Sequence, residues 1–182
     1  MKLRAPSYPL ITVDPYFSVW SPYSILNHRE TKHWTGSPND IFGIVDIDGE
    51  ELQFVGTFRK FKKIPQTSVD YDALSTSYTF ENSKISLAVT FMTPLFPDDP
   101  DVMTRPVSYM TVTYKKIDPA VESVKVKIYV GDSLCLNRRR EMPVDITPVE
   151  ICGIPAIKMG AKEQNPLNRS GDDLRSRHHF AH

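Results

Sequence analysis

Proline placement constrains this chain more than any other feature. Fifteen prolines stand against eight glycines in 182 residues. They recur along most of the length and leave few uninterrupted windows. Inside a helix, proline removes a donor and clashes with the preceding turn. Long helices are therefore disfavoured, and short strands joined by ordered loops are favoured. No segment reads as a helix of about 12 residues or more. A short helical turn fits near Ala120 or within Asp132 to Arg140.

Apolar spacing gives the same answer. Val124, Val126, Ile128 and Val130 alternate with Lys125, Lys127 and Tyr129, which predicts a strand with its apolar face inward and its polar face outward. Ile85, Leu87, Val89 and Phe91 alternate likewise. Ser77 to Phe80 precedes them across the polar turn Glu81-Asn82-Ser83-Lys84, and the two runs read as a hairpin. A second hairpin is expected at Ile41 to Val55, where Asp48-Gly49 supplies the positive-φ turn that matches strand twist. Val107 to Tyr114 is rich in strand-forming residues, and shorter strands fit Leu10 to Val13, Phe17 to Trp20, Val149 to Ile151 and Ala156 to Met159. The expected fold class is all-β, an antiparallel β-sandwich with little helix. Residues 161 to 182 lose the alternation and are expected to form a poorly ordered C-terminal tail.

Charge and termini remove several function classes. Lys plus Arg and Asp plus Glu each total 22, giving a formal net charge of zero. Such a chain has no general attraction for phosphate backbones or anionic lipid, so neither nucleic acid nor membrane is expected as a partner. Met1 to Pro6 lacks the apolar core of a signal peptide as written. No apolar run reaches the length of about 18 residues that a membrane helix needs. Cys135 and Cys152 are read as two small buried hydrophobes, with pairing in an oxidising compartment as the alternative.

The chemistry-bearing residues do not assemble into a catalytic set. His178, His179 and His182 form a terminal cluster that nothing orders for a metal. Asp98, Asp99 and Asp101 form an acidic loop without the glycine and spaced acceptors of a calcium loop. Asp172 and Asp173, with Arg175 nearby, would point to opposite faces of a strand. Arg138-Arg139-Arg140 is followed at once by Glu141 and reads as a solvated loop. Tyr16 to Trp20 and His33-Trp34-Thr35-Gly36 offer aromatics for core packing or for a sugar-binding surface. Glycine-rich phosphate loops, nucleophile elbows and zinc-protease helices are absent from the sequence.

Two of these segments carry a family resemblance. Tyr8 to Pro22, YPLITVDPYFSVWSP, is similar to the opening of the bacterial and fungal glutaminase A family. His33-Trp34-Thr35-Gly36 and the strand pair around Asp48-Gly49 follow at the expected distances. Arg105 to Tyr109 and Asn168 to Arg175 resemble later landmarks, so the likeness covers about residues 3 to 175. The resemblance implies a protein several times longer. Its β-sandwich region would lead into a helical toroid similar to that of six-hairpin glycosidases, and its activity would be hydrolysis of L-glutamine to L-glutamate and ammonia. Residues 1–160 would be the non-catalytic N-terminal sandwich, residues 161–182 an incomplete continuation or loose tail, and the C-terminal toroid its partner. No catalytic, metal-binding or cofactor-binding residue carries over.

The chain departs from that pattern by lacking an export signal, although many members are exported. It also departs by ending in Ser176 to His182 where the family continues with aromatics. A shortened chain of this kind is expected to self-associate through exposed apolar surface and open strand edges. The alternative function is a carbohydrate-binding or glycosidase-accessory module using Trp20, Tyr23, Trp34 and Phe42.

Overall fold

A computed structural model describes residues 4–163. Its strands are β1 Tyr8–Thr12, β2 Ser18–Ser21, β3 Ile41–Ile47, β4 Glu50–Val55, β5 Lys62–Lys63, β6 Gln66–Tyr71, β7 Ser75–Glu81, β8 Ile85–Met92, β9 Tyr109–Lys116, β10 Val124–Val130, β11 Val144–Ile151 and β12 Ile154–Ala161. Among the described residues, helix is confined to α1, Pro100–Met103, and a 3-10 turn at Asp132–Leu134. The all-β class expected from proline and alternation is what forms. The His178 to His182 cluster, Asp172 and Asp173, and the Asn168 to Arg175 landmark lie outside the described residues.

Two four-stranded sheets, ordered β10-β3-β4-β5 and β6-β7-β8-β9, supply the layers, while β1–β2 and β11–β12 form two-stranded ribbons. Every pairing is antiparallel except the short β4–β5 contact. The core lies where the sheets meet. Ile41, Val45, Ile47, Leu52 and Phe54 from one sheet join Tyr78, Phe80, Leu87, Val89 and Phe91 from the other. Phe54 meets Phe80 edge to face at 6.1 Å. Gly43 makes room for this packing, since a Cβ there would stand 2.6 Å from the Phe54 ring. The β1 strand lies against β7 and β8, with Tyr8 edge-on to Tyr78.

The β3–β4 hairpin is buried on its outer face as well. Asn27 Nδ2 donates to the carbonyls of Gln53 at 3.0 Å and Ile64 at 2.8 Å, and Gln53 Oε1 accepts the Phe58 N–H at 2.7 Å. These bonds satisfy polar groups that burial would otherwise leave unpaired.

Turn chemistry fixes the hairpins. Asp48 and Gly49 take φ of 52° and 88°, and Asp46 Oδ1 accepts the Gly49 N–H at 2.8 Å. Asn82 Oδ1 accepts the N–H groups of Lys84 and Ile85, both at 2.9 Å. Cys152 and Gly153, at φ of 51° and 79°, close the β11–β12 ribbon in the same way.

One expectation about burial fails. The register of β10 against β3 sets Val126 beside Val45, Ile128 beside Gly43 and Val130 beside Ile41. Directly opposite residues share a face, so these side chains lie on the core face. Yet Val126, Ile128 and Val130 are 39%, 41% and 43% exposed. The strand is the last in its sheet, and no described layer lies over that part of it. The ribbon shows the same pattern. Val144, Met159 and Ala161 at its base reach the core, while Ile146 and Ile157 on the same face are 63% and 56% exposed.

Candidate functional site

The densest polar constellation surrounds Asp40, one residue before β3. Asp40 is buried, and its carboxylate accepts bonds from Arg139 Nε at 2.7 Å, Arg139 Nη2 at 2.6 Å and Ser133 Oγ at 2.9 Å. The Ser133 hydroxyl also accepts the Asp40 N–H at 2.8 Å, and Arg139 Nη2 donates to Glu30 at 2.6 Å. The hydrogen bonds that Arg139 donates to Asp40, then to Glu30, hold the guanidinium well above its ordinary range. Gly131 permits the close approach, because a Cβ there would stand 2.9 Å from the Asp40 Cβ.

A serine beside an aspartate invites a nucleophile reading, and the geometry refuses it. A general base needs a free lone pair aimed at the nucleophile's proton and access for substrate. Here both carboxylate oxygens already receive the guanidinium, and Ser133 is fully buried. The cluster is a clamp that ties the 3-10 turn and its following loop to the first sheet. The arginine run is an exposed loop, as the sequence reading has it, and Arg139 adds acidic partners that stand 99 and 109 positions away in sequence.

The His33-Trp34 segment is likewise structural. His33 is buried, with Nε2 3.0 Å from the Pro15 carbonyl and Nδ1 2.8 Å from Thr35 Oγ1. The Trp34 indole N–H donates to the same carbonyl at 2.8 Å. These bonds join the two halves of the aromatic segment that carries the family likeness. As a sugar platform the named aromatics are poorly disposed. Trp34 is 53% exposed, but Trp20, Tyr23 and Phe42 are half-buried. The Arg29 guanidinium sits over the Tyr23 ring at 5.6 Å, and Phe58 stacks on Phe42 at 3.9 Å.

The remaining candidates are accounted for locally. Asp99 caps α1 by accepting the Val102 N–H at 3.1 Å. Among the described residues no group of three or more His, Cys, Asp or Glu side chains is arranged to hold a metal ion. An open groove of about 520 Å³ beside the β3–β4 turn is lined by Asp46, Asp48, Glu122 and Lys125. Its Asp48 carboxylate accepts the N–H groups of Glu122 at 3.1 Å and Ser123 at 2.7 Å, which pins the loop before β10. Cys135 is buried as expected, but Cys152 stands exposed in the ribbon turn, and both are free thiols. Positive φ at Cys152 places it at the hairpin tip, away from the core.

Comparison with known proteins follows the same line. Residues 74–177 match the family described as a domain of unknown function, DUF5127. The chain belongs to the DUF5127 family. Ahead of that match, residues 1–68 match a second family, described as the domain of unknown function DUF4964. Glutaminase A of Aspergillus oryzae (strain ATCC 42149 / RIB 40) is 24% identical over 131 residues, covering 68% of this chain and 19% of that protein. The chain therefore matches about a fifth of the length of this curated relative. Together the matches make it a glutaminase A-like N-terminal region, as the Tyr8 to Pro22 segment indicated. No solved structure matches.

Proposed function

We propose that this DUF5127 chain is the non-catalytic N-terminal sandwich of a glutaminase A-like amidohydrolase. The whole protein would convert L-glutamine to L-glutamate and ammonia, with its reactive groups in a C-terminal helical toroid. Residues 1–160 serve as one sandwich domain whose partner is that toroid. The observation that carries this reading is the match to only 19% of the length of glutaminase A. Chemistry supports it. Amide hydrolysis requires an activated water or nucleophile and donors for the tetrahedral oxyanion. The best polar cluster among the described residues is closed around Arg139 and offers neither. The exposed apolar face of the β11–β12 ribbon, at Ile146 and Ile157, suits docking of a further domain.

The test is ammonia release from L-glutamine by the purified 182-residue chain, read by a coupled assay. The expected rate equals the enzyme-free blank. Turnover above the blank that disappears on heat denaturation would overturn the non-catalytic assignment.

A further inference from the structure

The turn between β4 and β5 gathers like charge that the fold itself does not use. Arg59, Lys60, Lys62 and Lys63 put four cations into five residues, all of them exposed. Lys63 Nζ donates to the His28 carbonyl at 3.2 Å, so the segment carrying the exposed Arg29 lies alongside. Among the described residues none of these cations has a carboxylate partner, and Glu50, at the start of β4, is already paired with Lys84 at 2.9 Å. The cluster is also held in place. The Phe61 N–H donates to the Phe58 carbonyl at 3.2 Å, which sets Arg59 and Lys60 at the centre of a tight turn. The Phe58 N–H is fixed by Gln53 Oε1 at 2.7 Å, and its ring stacks on Phe42 at 3.9 Å and meets Phe61 edge-on at 6.2 Å. Lys60 Nζ sits over the Phe61 ring at 5.3 Å. Holding like charges side by side opposes folding, so the arrangement needs a reason outside the fold.

Independently of the proposed function, we propose that this turn and β5 bind a short acidic segment of a partner polypeptide, whose Asp and Glu side chains pair with Arg59, Lys60, Lys62 and Lys63. Three observations favour a polypeptide over other polyanions. The aromatic surface is already in use, with Phe58 laid on Phe42 and Phe61 under Lys60, whereas nucleic-acid bases and sugar rings call for open ring faces. Three of the four cations are lysines, point charges without the planar fork that grips phosphate from two sides. The β5 strand is last in its sheet, and no described strand pairs with its outer side. A polypeptide has the backbone groups to extend that edge. Edge lysines repel ordinary strands. An acidic strand is the kind they admit, so the charges that blunt the edge also select what joins it.

Amide NMR titration of the full 182-residue chain with a blocked oligo-aspartate peptide of about eight residues tests the site. Shifts should be confined to residues 25–29 and 57–64 and should fade as salt rises, because exposed charges are screened within about 10 Å at about 0.1 M. Arg59→Gln with Lys60→Gln and Lys62→Gln should weaken binding roughly tenfold, as expected for three exposed ion pairs. All three side chains are exposed, so the urea midpoint should hold. Lys115→Gln with Lys125→Gln, exposed cations on β9 and β10, should bind as the parent does. The proposal falls if the peptide causes no shifts at low salt, if the triple variant binds like the parent, or if both variants lose binding equally. It also falls if oligothymidylate, polygalacturonate or phosphatidylserine vesicles bind the turn more tightly than the peptide, which would assign it to a nucleic acid, an acidic glycan or a membrane.

Discussion

Arg139 gives the sharpest residue-scale consequence. Removing its side chain leaves the Asp40 carboxylate buried with Ser133 as its remaining side-chain donor. Losing one partner of a charged, hydrogen-bonded pair is costly because the other charge stays desolvated. The Arg139 side chain is 46% exposed, so solvent tempers the loss. Arg139→Ala should cost roughly 2–3 kcal/mol, read as a lower urea midpoint with unchanged slope. Arg139→Lys should recover little, because one ammonium does not reproduce the two-pronged geometry. The sequence showed an arginine run and hid its acids, since contacts across 99 and 109 positions leave no local pattern.

Asp72 makes a second, pH-dependent case. Backbone N–H groups of Leu74 and Ser75, then the Ser75 hydroxyl, hold its carboxyl below the ordinary value of 3.8. Its contribution is therefore full above that value and is lost as pH falls through the lower folded value. Asp72→Asn should be less stable than the parent at pH 6, with the two converging in acid below the folded value. Equal gaps in urea midpoint at both pH values would refute that assignment.

At the scale of elements, sequence patterns located strands well and their surroundings less well. The alternating runs Ile85 to Phe91 and Val124 to Val130 lie within β8 and coincide with β10, and Asp48-Gly49 closes the β3–β4 hairpin. Two strands leave no such pattern in the sequence. The β6 strand is an edge with mostly exposed residues, and β5 is two lysines long, so neither carries a strong apolar period. The exposure of β10 departs from the alternation because alternation reports only which face is apolar. Whether another layer covers that face depends on distant chain.

Gly49 and Gly153 separate core from ribbon experimentally. Both hold φ values, 88° and 79°, that an L side chain resists. Gly49→Ala sits in the central hairpin and should lower global stability by about 1–2 kcal/mol. Gly153→Ala sits at a ribbon tip that lies outside the core cluster. It should speed hydrogen exchange in β11 and β12 while leaving the global midpoint almost unmoved. A matching global loss would mean the ribbon unfolds together with the sheets.

At the scale of the whole molecule, the question is whether two short sheets with uncovered apolar margins make one cooperative unit. Both sheets contribute to a single core cluster that also takes in β1 and the base of the ribbon. Neither sheet buries its inner face without the other, and Phe54 against Phe80 joins them directly. The clamp at Asp40 ties residues 133 and 139 back to the start of β3, so the C-terminal third is fastened to the first sheet as well. Sharing one core means that loss of either sheet exposes the other, which is the condition for all-or-none unfolding. Urea transitions followed by far-UV circular dichroism and by tryptophan fluorescence should therefore coincide. Phe80→Ala should move both together to lower urea by the roughly 3–5 kcal/mol expected for a buried ring. Two separated transitions, with Phe80→Ala shifting just one, would show that the sheets fold as independent layers and that the apolar margins matter less than the core they border.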